Sequence, residues 1–406
     1  MNINDINPKV YEFAETAENL IQTQFKHIDK IAQKNTLKVM KAFQDNRVSE
    51  ACFSGTTGYG YDDLGRDTLD KIYAQIFGTE SALVRINFVN GTHAIKTAIF
   101  SMLKPGDMVL SVTGTPYDTL RKAIGISGDE FGSLKFYGID YIEGNLELLK
   151  DKRIKAVIMQ RSCGYENKPA LSIDDIRLLC TRIHELRSDV YIFCDNCYGE
   201  FTEELEPTDV GVDLIAGSLI KNPGGGIAPT GGYIAGKKEL ILNAANLMTS
   251  PGIGGECGST LGNNRQLYQG LFVAPHVVAQ ALKTAVFASK ITELIGLESY
   301  PKFDDIRSDI IQRICLGSKE LMVRFCDGIQ SGAPVDSYVR PEPWPMPGYD
   351  CDVIMADGSF IQGASIELSA DGPIKEPYNV YLQGGLTYES GKLGVMMAIS
   401  SILDFI

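Results

Sequence analysis

The chain has 406 residues, 44% of them hydrophobic and 22% charged, which excludes disordered, collagen-like and disulfide-stapled classes and leaves length for two or three domains at roughly 150 residues each. Thirty-eight Lys and Arg against 51 Asp and Glu give a net charge of −13, so phosphate backbones and anionic lipid are repelled and neither nucleic acid nor membrane is an expected partner. The opening residues lack a basic segment followed by an apolar one, and nine scattered cysteines fit reduced thiols, so a soluble, cytoplasmic protein is expected.

From residue 8 to about 45, Val10, Phe13, Ala14, Ala17, Leu20, Ile21, Phe25, Ile28 and Ile31 recur at steps of three and four, which predicts one long amphipathic helix started by Asn7-Pro8. Its apolar stripe must cover the main body or another subunit. Between about Thr68 and Tyr233, short β-rich runs (82–89, 108–112, 156–159, 190–194 and 233–235) alternate with helical stretches (91–103, 173–186 and 237–247). This alternation predicts a mainly parallel sheet covered by helices on both faces, with ligands beyond the carboxyl ends of its strands. A helix over 275–297 leads to a C-terminal part with its own helix, β-like segments at 352–355 and 365–368, and a last helix from Leu393. Pro341, Pro343, Pro345 and Pro347 make 340–349 an extended loop.

The most informative stretch is Val190-Tyr-Ile-Phe-Cys-Asp195-Asn196-Cys-Tyr198-Gly, followed by Gly217-Ser218-Leu-Ile-Lys221-Asn-Pro-Gly224-Gly225-Gly226. One apolar strand delivers a carboxylate at its end, and a second delivers Ser-x-x-Lys into a glycine-rich turn. Pyridoxal phosphate requires such parts: a lysine amine to form a Schiff base with its aldehyde, and a carboxylate to keep its pyridine nitrogen protonated. Lys221 and Asp195 are the candidates, with Ser218 offering a hydroxyl to the phosphate. Upstream, the 82–89 strand runs into Asn90-Gly91-Thr92-His93 and a helix, whose free N–H groups make Gly91 and Thr92 candidate phosphate binders; His93 caps or packs. Tyr117, after the 108–112 strand, is a candidate to stack on the flat ring.

The order Gly91-Thr92, Tyr117, Asp195-Asn196, Ser218-x-x-Lys221 and Thr230-Gly231-Gly232 resembles the fold-type I pyridoxal-phosphate enzymes of the cystathionine lyase and methionine γ-lyase group, and within it the aluminium-resistance branch. The resemblance covers about Gly55 to Val278. It implies an α/β fold with a mainly parallel, seven-stranded-type sheet and a smaller C-terminal α+β domain, divided as a helical arm at 1–50, a cofactor-binding domain at 51–295 and a small domain at 296–406. It further implies a homotetramer built as a dimer of dimers, with active sites shared between subunits, in which Tyr59, Tyr61 and Arg66 are candidates to reach a neighbour's phosphate; a glycine-rich turn before a helix is the plainer reading of that segment. Family lyases hold the substrate α-carboxylate with a C-terminal arginine, whereas the last arginine here is Arg340. Arg161, after the 156–159 strand, and Arg265 are the substitutes considered, either of which could instead be a structural ion pair.

The expected activity is cleavage of a carbon–sulfur bond in an amino-acid substrate, with an aminotransferase, aldolase or racemase as alternatives on the same core. Ser218-x-x-Lys221 also matches a serine acyl-hydrolase motif, but its companion strings Ser-Asp-Asn and Lys-Thr-Gly are absent. A cofactor-binding protein without turnover is the remaining alternative. Cys194-x-x-Cys197 has redox or zinc spacing without a second pair, so no metal site is expected.

Overall fold

A computed structural model describes residues 6–128, 130–346 and 349–406, so Met1–Asp5 and Pro347 of the segments above lie outside the described residues. The larger sheet comprises β1 (Ser81–Arg85), β2 (Met108–Ser111), β3 (Asp140–Glu143), β4 (Ile154–Gln160), β5 (Tyr191–Asp195), β6 (Leu214–Ser218) and β7 (Gly232–Gly236) in the order β1-β7-β6-β5-β4-β2-β3. The pairs from β3 through β6 are parallel, while β7 runs antiparallel to both β6 and β1. Buried on both faces, the inner strands read as near-continuous apolar runs such as Leu214-Ile-Ala, whereas the edge strand β3 is partly exposed. The 82–89 run forms strand only to Arg85; the remainder leaves the sheet and turns into a helix.

The second sheet contains β8 (Ser299–Tyr300), β9 (Gln312–Cys315), β10 (Val353–Asp357), β11 (Leu368–Pro373) and β12 (Asn379–Gly384) in the order β10-β11-β12-β9-β8, with every pair antiparallel. The predicted 365–368 segment is displaced: Ser365 lies in the loop before β11. The fold is therefore α/β with a smaller C-terminal sheet.

Around these sheets lie α1 (Pro8–Leu20), α2 (Gln22–Asp45), α3 (Leu64–Ile76), α4 (Gly91–Ser101), α5 (Asp118–Ile124), α6 (Ile173–Leu186), α7 (Lys238–Met248), α8 (Asn264–Leu294), α9 (Lys319–Ser331) and α10 (Tyr388–Ile402). The single helix expected over 8–45 is broken at Ile21, whose ψ of 6° ends α1, although the Asn7 side chain caps its start as anticipated. Its apolar residues are buried against this chain's own α8 and α10, and Glu18 accepts hydrogen bonds there from the Tyr388 hydroxyl (2.9 Å) and Lys392 (2.6 Å). Helix α8 begins at Asn264, well before the expected 275, and carries Pro275 inside. By length and apolarity alone α8 could cross a membrane, but 78% of its most apolar window is buried within the fold, where each fully buried Leu or Phe contributes about 1.5–3 kcal/mol.

Candidate active site

Strand β5 carries Asp195 to its carboxyl end, and the chain then turns so that the Cys197 N–H donates to Asp195 Oδ1 at 3.1 Å. Burial pushes this carboxyl above the usual carboxylate range, and nearby Lys221 pulls it back. Neighbouring β6 ends at Ser218; the chain continues through Lys221 into a turn where Gly225 and Gly226 have φ of 53° and 70°. A Cβ on Gly225 would stand 2.6 Å from the Gly270 carbonyl oxygen, so glycine lets this turn seat on α8. Lys221 Nζ lies 3.9 Å from the centre of the Tyr198 ring, and Tyr198 itself holds a left-handed φ of 72°.

On the opposite side, Asn90 caps α4 by accepting from the His93 N–H at 2.9 Å. The helix starts so close to the end of β6 that a Cβ on Gly91 would meet Ser218 Cβ at 3.1 Å. Thr92 Oγ1 accepts from the Tyr117 hydroxyl (3.2 Å) and lies 3.3 Å from Thr119 Oγ1. His93 turns away: its Nδ1 accepts from the Val89 N–H at 3.3 Å and its ring sits edge-on to Phe88, a capping and packing role.

These elements open into one cavity of about 570 Å³, lined by Gly91, Thr92, Tyr117, Asp195, Ser218 and Lys221, a size suited to a small ligand. The second sheet supplies the facing wall. Met355, Asp371 and Tyr381 form one row across β10, β11 and β12, and Asp357, Ser369 and Gln383 the next. Burial pushes Asp371 up to about 7, against the pull of hydrogen bonding from Tyr165 and Gln383 and of the Lys221 charge. Tyr198, Gln160, Tyr165 and this wall were absent from the expected site. Tyr198 stands three residues after Asp195 in the quoted motif, where its spacing could have flagged it.

Several candidates lie elsewhere. Arg161 is fully buried on the other side of the sheet edge, where its guanidinium meets Glu203 (3.0 Å), Glu206 (3.4 Å) and Asn196 (2.9 Å). Gln160 and Ser162 line the cavity while Arg161 between them does not, as alternation along extended backbone requires. Arg265 is exposed and covers the Phe53 ring at 5.0 Å, outside the cavity lining. Arg66 is 2% exposed, its guanidinium engaged within this chain by Asp67 (2.8 Å) and the carbonyls of Gly60 (2.5 Å) and Gly258 (3.1 Å), and it does not line this chain's cavity. Tyr59 and Tyr61 are exposed, stack on each other at 5.6 Å, and do not line this chain's cavity.

Cys194 and Cys197 are buried thiols whose pKa values burial raises well above the ordinary range, and Cys197 lines the cavity. Lys221 is pulled both ways in its protonation. An apolar site would depress the amine, and burial does act in that direction, but Cys197, Tyr198 and Asp195 together raise it above its ordinary value.

The methionine γ-lyase family model matches residues 10–403. YnbB of Bacillus subtilis, an uncharacterized protein, is 48% identical over 393 residues, covering 93% of each chain. The crystal structure of a carbon–sulfur lyase involved in aluminum resistance from Clostridium novyi NT superposes with a TM-score of 0.94 at 54% identity, covering 98% of this chain and 96% of that one. The pyridoxal-5'-phosphate-dependent protein YhfS of Escherichia coli shares the fold, with a TM-score of 0.61 at 15% identity over 92% of this chain and 97% of its own. With a family match spanning both sheets and every element around the cavity, the chain belongs to the methionine γ-lyase family.

Proposed function

We propose that this protein is a pyridoxal-phosphate-dependent lyase that breaks a carbon–sulfur bond of an amino acid by β- or γ-elimination. One observation carries the reading: the Lys221 amine, the Asp195 carboxyl and the start of α4 meet in one cavity at the carboxyl ends of β5 and β6. The residues fit the cofactor. Bare Gly91 leaves a cradle of main-chain N–H groups that a Cβ would crowd, beside the hydroxyls of Thr92 and Ser218, and this suits a phosphate dianion. Asp195 is the carboxyl available to a protonated pyridine nitrogen, and Tyr117, held by its hydroxyl on Thr92, offers a flat face.

When bound, pyridoxal phosphate supplies an electrophilic carbon for amines and a protonated ring that accepts the electron pair released at the substrate Cα. Lys221 has two tasks, holding the cofactor through Nζ and taking the proton from Cα, and both require a neutral amine. Its neighbours favour the ammonium, and a cationic ring held against Asp195 would offset the part of that pull which this carboxylate supplies. The second sheet walls one side of the cavity that holds the reacting atoms. The proposed assembly is a tetramer, a dimer of dimers, to which exposed Tyr59 and Tyr61 would offer a contact surface.

The test is turnover by the cofactor-loaded protein across cystathionine, methionine, cysteine and homocysteine, with thiol, pyruvate and 2-oxobutyrate measured together. Equimolar thiol and 2-oxo acid are expected from at least one substrate. Release of neither above the cofactor-free protein, or labelling of Ser218 by a fluorophosphonate, overturns the reading.

A further inference from the structure

The wall formed by the second sheet carries several buried oxygens that lack a hydrogen-bond partner. Asp371 and Gln383 are each 5% exposed and line the cavity from adjacent strands. Gln383 Nε2 donates to Asp371 Oδ2 at 3.1 Å, and because a carboxylate only accepts, this fixes the amide with Oε1 turned away. Asp371 Oδ1, Gln383 Oε1 and the adjacent Ser369 Oγ then have no hydrogen-bond partner. Buried acceptors of this kind are rarely left unmatched. Asp357, in the same row as Ser369 and Gln383, adds a second carboxylate whose oxygens accept only two main-chain N–H bonds, from Ser359 and Gly363 at 3.2 Å each.

The charge balance points the same way. Among the described residues lining the cavity, Lys221 is the one Lys, Arg or His, against Asp195, Asp357 and Asp371. Under the proposed reaction Lys221 and Asp195 serve the cofactor end. A second carboxylate on the substrate would find no cation at the opposite wall, whereas a cationic group would find two carboxylates and an amide oxygen.

We propose that Asp371, Gln383 and Asp357 form a specificity subsite for a substrate whose far end carries an ammonium or guanidinium and no second carboxylate. The claim rests on the lyase reading for which end reacts, and not for the binding preference itself.

Three L-cysteine thioethers of similar size test it on the cofactor-loaded protein: S-(2-aminoethyl), S-propyl and S-(2-carboxyethyl). Affinity is read by calorimetry at about pH 8, where Asp371 is ionised, with pyruvate release followed separately. The aminoethyl compound is expected to bind about tenfold or more tighter than the propyl one, with the carboxyethyl compound weakest, and Asp371→Asn to narrow the first gap to about threefold or less. Equal affinities, no binding by any of the three, or tighter binding of the carboxyethyl compound overturn the subsite, and the wild-type ranking decides this even if the variant fails to fold. Pyruvate release without the preference upholds the lyase and sinks the subsite; the preference without pyruvate does the reverse.

Discussion

Replacing Glu200 by glutamine should make the protein more stable, increasingly so as pH rises. Glu200 is completely buried one turn beyond the Asp195 motif, where its Oε1 accepts from the Tyr233 hydroxyl at 2.8 Å and its Oε2 has no partner. Burial pushes its pKa from 4.5 up to about 8. Between those values the folded state binds more protons than the unfolded one, so the folded state loses stability as pH climbs. At about 1.4 kcal/mol per pH unit the full interval corresponds to about 5 kcal/mol at pH 8.5, about 3 at pH 7 and under about 1 at pH 5. Glutamine matches the protonated acid in shape and keeps the acceptor for Tyr233, so the variant is spared this loss. With an unfolding entropy of about 2.1 cal/mol/K per residue, a chain of this length gains about 1 °C per kcal/mol. Scanning calorimetry of both proteins from pH 5 to 8.5 should show a Tm difference growing from under about 1 °C to about 5 °C. A difference that stays flat or shrinks as pH rises would refute the assignment of a strained, ionisable Glu200.

Arg161→Met should destabilise the fold by about 3–5 kcal/mol by stranding Glu206 and Glu203, while leaving the KM of the folded fraction unchanged; a large rise in KM with intact stability would return Arg161 to the substrate site. Gly91→Val brings its Cβ to 3.1 Å from Ser218 Cβ and adds methyl groups at the start of α4, so cofactor affinity, titrated by absorbance, should fall at least about tenfold, and an unchanged Kd would contradict the proposed phosphate cradle.

The chemistry contributed by the larger sheet is legible in the sequence because it is local. Asp195 and Ser218-x-x-Lys221 follow the ends of the parallel neighbours β5 and β6, and Asn90-Gly91-Thr92 follows β1, which runs in the same direction as β6 because both pair antiparallel with β7. Tertiary context decides the rest. On β11, Ser369 and Asp371 alternate with Ala370, the pattern of a strand with one wet face; packing against the larger sheet turns that face into the cavity wall. Arg161 illustrates the same limit at single-residue scale: its position at the end of β4 is correct, but pleating sends Gln160 into the cavity and the guanidinium away from it. The break at Ile21 is equally silent in sequence, since the apolar spacing continues across it while α1 packs on both α8 and α10 and α2 packs chiefly on α8.

The proposed chemistry turns on a covalent bond at the Lys221 amine. Borohydride reduction of the cofactor-loaded protein, followed by digestion and peptide mass mapping, should place a single pyridoxyl group on the peptide containing Lys221. An adduct on another lysine, label scattered over surface lysines, or no adduct at all would contradict it.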